Sequence, residues 1–243
     1  MVSREHHDGP GWFLVTGASR GLGAALVRQL LDGGDRVLAL ARQEADLRYL
    51  GGQPHRASAE LLTYPLDLQD PGGIRAFGAW LQARELQIRC LVNNAGVCLD
   101  GGGSFNLQEA RFDWLSPEDL ERTFRTNLFG PLHLVQAVYR SMGPGGLILN
   151  VTSSLADPGL LDAGWVAYRT SKAALNALTS VLAKELVDLG IQVNAVDPGW
   201  VRTGMGGENA PVAPEMAAAW VHGVIGQTLA EPGASGRFFS YGH

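Results

Sequence analysis

Tyr168 and Lys172 are the two side chains of this sequence whose types and spacing best suit proton transfer. They stand four positions apart in a segment with helical periodicity, so one helical turn places the phenol and the ammonium on the same face. A phenol has a pKa of about 10 and is a poor acid or base at neutral pH. A cation about 4 Å away contributes on the order of 4 kcal/mol at an effective dielectric constant near 20, enough to lower that pKa towards neutrality. The pair therefore predicts an acid–base tyrosine that a lysine tunes, although the spacing alone also fits an ordinary surface pair.

The helix that carries this pair is predicted to run from residue 165 to residue 189. Its apolar residues recur at intervals of three and four, which is the pattern of one buried stripe. The stripe comprises Leu175, Leu178, Val181, Leu182, Leu186 and Leu189.

The composition predicts a single α/β domain over residues 1–243. Hydrophobic residues make up 46% of the 243, which suffices for one sizeable core. With 19 Lys plus Arg against 24 Asp plus Glu, the net charge is -5, which argues against nucleic acid or an anionic membrane as partner and favours a small-molecule substrate. Because no apolar run approaches the ~20 residues that span a bilayer and no apolar leader is visible, we expect a cytoplasmic protein.

Cysteine usage indicates neither a disulfide framework nor a metal site. Cys90 lies in an apolar run and Cys98 in a loop, and both are predicted to be free thiols. No cluster of His, Cys and Asp has metal-ligand spacing, so no metal is expected.

A glycine-rich turn follows the first predicted strand and precedes the first predicted helix. Gly17 can make the turn, and Gly21 and Gly23 let the backbone approach a pyrophosphate at the helix N-terminus. The spacing is G-x-x-x-G-x-G rather than the commoner G-x-G-x-x-G fingerprint. Because the required strand and helix stand on either side, the segment predicts a dinucleotide site.

Two arginines predict the kind of dinucleotide. An NAD site usually carries an acidic residue about 20 positions after the glycines, whereas this chain has Arg42 there and Arg20 inside the turn. Guanidinium groups bind a 2′-phosphate that a carboxylate would repel, so NADP is favoured over NAD. Glu44, just beyond, leaves NAD as the alternative.

Other predicted strands deliver polar residues to the same edge. A third strand is predicted to end at Asp67, which either hydrogen-bonds the adenine or, like Asp70, caps the next helix over residues 71–87. The strand before residues 93–96 breaks into small polar groups suited to a cofactor ribose, although turn formation alone explains them equally well.

Two further segments are predicted to depart from regular structure. A helix over about residues 117–142 contains Asn127, and the following Gly130 and Pro131 predict a kink, because proline removes an N–H and clashes with the preceding turn. The stretch from residue 204 to about residue 226 is rich in small residues and predicts a loop that covers the substrate.

The chain resembles the classical short-chain dehydrogenase/reductases over nearly its whole length, and within them the sniffer-type carbonyl reductases. The matching motifs are T-G-A-S-R-G-L-G at 16–23, N-N-A-G at 93–96, Asn127, the serine after the fifth strand, Y-R-T-S-K at 168–172 and P-G-W-V-R-T at 198–203. The resemblance implies a Rossmann-type, doubly wound, seven-stranded parallel sheet with helices on both faces, and an NADP(H) or NAD cofactor. It also implies a homodimer or homotetramer, since many relatives pair through the helices that carry Asn127 and Tyr168.

The resemblance also implies site residues. The implied catalytic residues are Asn127, Ser153, Tyr168 and Lys172. The implied cofactor-binding residues are Gly17, Ser19, Arg20, Gly21, Leu22, Gly23, Arg42, Asp67, Leu68, Asn94, Ala95, Gly96, Tyr168, Lys172, Pro198, Gly199, Val201 and Thr203.

Ser153 or Ser154 is the expected catalytic serine. The family pattern of Asn, apolar residue, Ser or Gly, then Ser selects Ser153, whereas Ser154 gives the commoner spacing to Tyr168. Strand alternation lets only one of the two face the site.

The predicted function is NADPH-dependent reduction of a ketone or aldehyde. Ser153 and Tyr168 would hydrogen-bond the carbonyl oxygen, hydride would reach the carbon, and Tyr168 would protonate the alkoxide. Lys172 would lower the tyrosine pKa and hold the nicotinamide ribose, and Asn127 would keep a water in the proton relay. Apolar substrates are favoured by residues expected near the cleft: Leu99, Phe105, Leu155, Leu160, Trp165, Trp200 and Met205.

Three other functions remain open from the sequence. One is an alcohol dehydrogenase of the same family. The second is a 3-ketoacyl carrier-protein reductase, for which Arg122, Arg125 and Arg169 would have to form a basic entrance. The third is a non-catalytic NADP-sensing module, against which the complete set of four catalytic residues argues.

Overall fold

Seven parallel strands form the centre of the protein. In the computed structural model, which describes residues 11–51, 56–100, 112–157, 159, 163–231 and 233–242, their order is β3-β2-β1-β4-β5-β6-β7. The strands are β1 Trp12–Thr16, β2 Arg36–Ala41, β3 Glu60–Pro65, β4 Ile88–Asn93, β5 Leu147–Val151, β6 Gln192–Asp197 and β7 Phe238–Ser240. This order confirms the predicted doubly wound, seven-stranded sheet, and its direction reverses between β1 and β4.

Helices cover both faces of the sheet. They are α1 Gly21–Gly33, α2 Arg48–Gly51, α3 Pro71–Ala83, α4 Pro117–Phe124, α5 Gly130–Val138, α6 Val166–Glu185 and α7 Pro214–Ala230. One core cluster lies under α1 and α7, and the other lies under α3, α5 and α6. Because both faces are covered, strands such as β1 and β5 are buried along their whole length, and their sequences are mostly apolar.

The third strand is shorter than predicted. It ends at Pro65, which pairs with Ala41, the last residue of β2, and the N–H of the next residue, Leu66, donates to the carbonyl of Ala41 at 2.7 Å. Asp67 instead closes a local turn in which its carboxylate accepts from the N–H of Gln69 at 2.9 Å. The capping role goes to Asp70, whose carboxylate accepts from the first turn of α3.

The predicted kink near Asn127 is a π-helical turn between α4 and α5. This turn spans Arg125–Phe129, and the N–H of Gly130 donates to the carbonyl of Arg125, five residues back. A β-carbon at Gly130 would lie 2.8 Å from Cβ of Leu68, so glycine also permits close packing here. Such π turns are frequent at functional sites.

The helix α6 begins where predicted but ends earlier. It stops at Glu185 and is followed by a single turn, Val187–Leu189. Leu175 is buried as predicted, whereas Val181 is 54% exposed and Leu189 is 46% exposed. The prediction was wrong for these two residues because the buried face of α6 instead includes small residues such as Thr179.

The segment predicted to be a substrate loop is partly helical. From Pro214 onwards the chain forms α7, whose Ala217 and Val221 are buried in the core cluster beside α1. The irregular part is therefore limited to the residues before Pro214, where Val201 and Val212 form an isolated bridge.

Candidate active site

A cleft of about 1160 Å³ opens at the carboxyl ends of the strands, where the strand order reverses. This is where open α/β sheets bind ligands. Every residue that the sequence assigned to the cofactor lines this cleft, and so do Ser153, Tyr168 and Lys172. Asn127, the remaining member of the predicted catalytic set, lies behind the cleft wall.

The glycine turn leaves no room for side chains. Gly17 and Gly21 have φ angles of 65° and 56°, which favour glycine. A β-carbon at Gly23 would lie 2.3 Å from the carbonyl oxygen of Gly17 and 2.5 Å from Nδ2 of Asn94. The N-cap residue Arg20 makes no side-chain capping hydrogen bond to α1, so the first N–H groups of this helix can bind an anion in the cleft.

Thr16 locks this turn to the end of β4, a role that the sequence did not reveal. Its hydroxyl accepts from the N–H groups of Asn94 and Ala95, both at 3.0 Å. In return, the side-chain amide of Asn94 donates to the carbonyl of Thr16 at 2.9 Å. Asn94 therefore lies against the turn through hydrogen bonds of its own and is not simply a turn former.

Arg20 and Arg42 line the far end of the cleft and are exposed. Within the described part of the chain, neither forms an ion pair. The carboxylate of Asp46 lines the same end, a residue that the sequence did not single out, whereas Glu44 is not among the lining residues. Two cations and one anion therefore share this corner.

Tyr168 and Ser153 meet through their side chains. The two hydroxyl groups lie close enough to hydrogen-bond, and this interaction opposes the larger effects that raise the pKa of Tyr168. Ser154 is exposed, and its N–H donates to Oδ2 of Asp197 at 2.9 Å. The structure thus brings Ser153, and not Ser154, to the phenol.

Lys172 lies near the same phenol. Its ammonium donates to the carbonyl of Val151 at 2.7 Å and lies 5.9 Å from the centroid of the Tyr168 ring. A β-carbon on Gly96 would lie 3.4 Å from this ammonium and 3.3 Å from Oδ1 of Asn127, so glycine at this position allows the close approach.

Burial dominates the proton affinities of both groups. It raises the pKa of Tyr168, with Cys98 and Asp197 acting in the same direction, and it lowers the pKa of Lys172 to about 8. The expected lowering of the tyrosine pKa by Lys172 is therefore wrong as a net effect. Desolvation of the phenolate outweighs the hydrogen bond from Ser153, which acts to lower the pKa.

Asn127 acts as a bridge between elements. Its carbonyl oxygen accepts from the N–H of Val97 at 2.8 Å, and its amide donates to the carbonyl of Val97 and to the hydroxyl of Ser171. Both amide hydrogens are thus used. The side-chain amide therefore has no hydrogen left to donate to a water in the predicted proton relay.

An apolar wall faces the tyrosine. Cys98 and Trp165 are buried with Tyr168 in one small cluster, against which Leu155 and Met205 pack. Trp200 lines the cleft and is 49% exposed. Cys98, expected in a loop of unknown exposure, is therefore a buried free thiol, as Cys90 is. Of the other predicted apolar residues, Leu99 does not line the cleft, and Phe105 and Leu160 lie outside the described residues.

Two buried carboxylates beside the site were missed in the sequence. Asp197 accepts from the N–H groups of Ser154 and Gly199, at 2.9 and 3.0 Å, and so joins the serine turn to the end of β6. Asp100 accepts from the N–H groups of Ala167 and Tyr168 at the start of α6. An acid at the carboxyl end of a predicted strand was a signal for Asp197, whereas nothing local marked Asp100.

Two kinds of feature are absent from the described residues. No group of three or more His, Cys, Asp or Glu side chains among them is arranged to hold a metal ion. None of the helices in the described ranges is both long and apolar enough to cross a membrane.

Known proteins resemble this chain over most of its length. The model of the family described as short chain dehydrogenase matches residues 12–212. The oxidoreductase UcpA of Salmonella typhimurium is 36% identical over 203 residues, which are 79% of this chain and 70% of that protein. The D-erythrulose reductase of Gallus gallus is 36% identical over 212 residues, which are 86% of this chain and 78% of that protein.

Solved structures show the same fold. A short chain dehydrogenase from Burkholderia cenocepacia in complex with NADP is 28% identical, with a TM-score of 0.79 over 95% of this chain and 96% of that one. The carbonyl reductase Sniffer of D. melanogaster is 27% identical, with a TM-score of 0.78 over 96% of each chain.

Proposed function

The chain belongs to the short chain dehydrogenase family, and from this premise we propose that it is an NADPH-dependent reductase of ketones and aldehydes. The observation that carries the proposal is the hydrogen bond between Ser153 and Tyr168 at the wall of the cleft, beside the ammonium of Lys172. Each hydroxyl has one hydrogen to donate, so a carbonyl oxygen that replaces this mutual hydrogen bond can accept from both groups, and negative charge develops on that oxygen during reduction.

The proton affinities of these groups suit the reductive direction. When bound, the reduced nicotinamide supplies the hydride that the carbonyl carbon receives. Because burial raises the pKa of Tyr168, the phenol is protonated at neutral pH and can give its proton to the alkoxide. Lys172, with a pKa of about 8, is mostly protonated at pH 7 and is the nearby cation that can return a proton.

The cradle at the glycine turn fits a dinucleotide. A β-carbon at Gly23 would collide with the turn itself, and the uncapped N-terminus of α1 offers N–H groups to a pyrophosphate. Arg20 and Arg42 support NADP, since an exposed guanidinium binds a 2′-phosphate bidentately. The NADP complex of the related Burkholderia structure is in keeping with this choice, and the carboxylate of Asp46 in the same corner makes it worth testing.

The apolar wall favours small, uncharged substrates, and the three arginines considered for a basic entrance do not oppose this. Arg122 pairs with Asp119 at 3.4 Å, and Arg125 pairs with Glu121 at 2.6 Å. Arg169 is buried, where its guanidinium lies 5.5 Å from the ring centroid of Trp165. These three arginines therefore do not supply the open basic entrance that a carrier-protein reductase would need.

A substrate panel tests the proposal. We expect NADPH consumption with apolar ketones and aldehydes, and little with a 3-ketoacyl thioester of pantetheine. The Tyr168→Phe variant is the control, and we expect its turnover to fall by about 100-fold or more while its NADPH affinity stays within about twofold. Near-normal turnover in this variant would contradict the assigned proton donor.

The remaining outcomes decide between the other functions. NADPH binding without consumption by any carbonyl compound would favour a sensing module, and turnover limited to alcohols would favour a dehydrogenase. The same assay run with NADH tests the cofactor: we expect Arg42→Ala to lose about tenfold in kcat/KM with NADPH and little with NADH. Equal turnover with both cofactors in the unmodified protein would remove the reason for assigning a role to Arg20 and Arg42.

A further inference from the structure

The first turn of α6 has an unusual beginning. Its N-cap residue is Trp165, which has φ 50° and ψ 46° and whose side chain makes no capping hydrogen bond. A left-handed conformation is unfavourable for a bulky residue and persists only where the surroundings impose it. The helix therefore needs another partner for its first N–H groups.

Asp100 provides that partner from a distant segment. Its two carboxylate oxygens accept from the N–H groups of Ala167 and Tyr168, at 2.9 and 3.0 Å, and its side chain is buried with 3% exposure. The residues that it joins are 67 and 68 positions away. A carboxylate at this place also opposes the partial positive charge of the helix N-terminus.

The contact reaches Tyr168 directly. One of the two N–H groups that Asp100 holds is that of Tyr168 itself, so the carboxylate fixes the main chain from which the phenol projects. On the other side, Trp165 and Cys98 pack against the phenol. The segment that follows β4 is thereby joined to the start of α6 at the residue whose hydroxyl must meet that of Ser153.

We propose that Asp100 is a positioning residue that holds Tyr168 in register with Ser153. This role rests on the proposed reductase function, and Asp100 itself touches neither substrate nor cofactor in it. The carboxylate acts through the main chain of α6, so its loss moves the phenol and leaves the glycine turn intact.

Asp100→Ala and Asp100→Asn test this role, with Asp70→Ala and Asp70→Asn as matched controls. Asp70 also caps a helix, accepting from the N–H of Gly72 at 2.9 Å, but in α3, away from the reaction centre. We expect Asp100→Ala to lower kcat for ketone reduction at least tenfold with NADPH affinity within twofold. Asp100→Asn retains one acceptor, so we expect a smaller loss, and both Asp70 variants keep kcat.

A second readout does not depend on turnover. In protein labelled with ¹³C-tyrosine, the ring signal of Tyr168, assigned with Tyr168→Phe, is expected to move in Asp100→Asn and to stay in place in Asp70→Asn. If the unmodified protein reduces no carbonyl compound, the proposed function fails, yet this signal still decides the role of Asp100. Should Asp100→Ala not fold, Asp100→Asn decides it alone.

Two results would overturn the role. One is an unchanged kcat and an unmoved Tyr168 signal in Asp100→Asn. The other is a loss of activity in the Asp100 variants that tracks their loss of thermal stability in the same proportion as in the Asp70 variants.

Discussion

The two halves of the cleft differ in what they are made of. In the nucleotide half, around Gly17, Gly21 and Gly23, main-chain atoms without side chains form the wall of the cleft, and exposed arginines lie at its rim. The reaction half, around Ser153, Tyr168 and Lys172, is built from polar side chains that are largely withdrawn from water. One half recognises by shape and surface charge, whereas the other depends on groups whose proton affinities burial has changed.

This difference predicts separable failures. A substitution in the nucleotide half is expected to weaken cofactor binding, because a larger side chain would collide with the closely packed main chain of the glycine turn. A substitution in the reaction half is expected to change turnover or pH dependence with the cofactor still bound. Each prediction below would be contradicted if the two kinds of effect appeared together.

Ser153→Ala is expected to have the largest effect. Loss of one hydroxyl that stabilises the developing charge lowers kcat by about 100-fold to 1000-fold. Ser154→Ala is the matched control, since Ser154 is exposed and contacts Asp197 through its N–H. Steady-state reduction of one apolar ketone checks both, and a larger loss in the Ser154 variant would exchange their assignments.

Gly23→Ala is expected to weaken NADPH binding, whereas Ser153→Ala is expected to lower turnover. The added methyl group would lie within 2.5 Å of both Gly17 and Asn94, so the turn must move. Overpacking of this kind costs about 1–3 kcal/mol, which corresponds to about a 10-fold to 100-fold loss of NADPH affinity.

Gly226→Ala is the control for this substitution. It lies in α7, and a β-carbon there would meet nothing within 4 Å. Titration of NADPH by fluorescence measures both variants. A Gly23→Ala protein with unchanged NADPH affinity would show that the turn is not the pyrophosphate site.

The same division explains what the sequence could predict. The glycine turn lies within eight consecutive residues between a strand and a helix, so its local pattern was sufficient. Asp100 acts across 67 residues, and no local pattern reports such a contact. Periodicity likewise placed Val181 in a buried stripe, because it cannot tell which face of a helix the sheet covers.

Proton affinities were the least predictable property. Spacing correctly placed Lys172 near Tyr168, but the sign of the tyrosine shift depends on how deeply the phenol is buried. Coulomb attraction acts on whichever groups are close, whereas desolvation depends on the whole surrounding fold. Cys98, in the segment after β4, and Asp197, the last residue of β6, raise the same pKa although they are far apart in the sequence.

Lys172→Met is expected to separate function from stability. Burial lowers the pKa of Lys172 from 10.5 to about 8, so the folded protein bears the cost of holding a desolvated cation, on the order of 3 kcal/mol. We expect the variant to lose turnover but still to bind NADPH through its pyrophosphate. We also expect it to unfold at a higher urea concentration than the unmodified protein at pH 7.

The pH dependence gives the sign of this effect. Between pH 8 and 10.5 the unfolded chain binds more protons at Lys172 than the folded one, so the stability of the unmodified protein rises through this window. Below pH 8 both states are protonated and the full cost remains. The stability advantage of Lys172→Met is therefore expected to shrink between pH 7 and pH 9.5, as measured by urea denaturation at the two values.

Lys184, the other lysine of the chain, is exposed in the last turn of α6, so Lys184→Met is expected to show no such convergence. If the stabilities of Lys172→Met and the unmodified protein changed in parallel with pH, the ammonium beside Tyr168 would not be desolvated. The two halves of the cleft would then differ in shape but not in proton affinities that burial has changed.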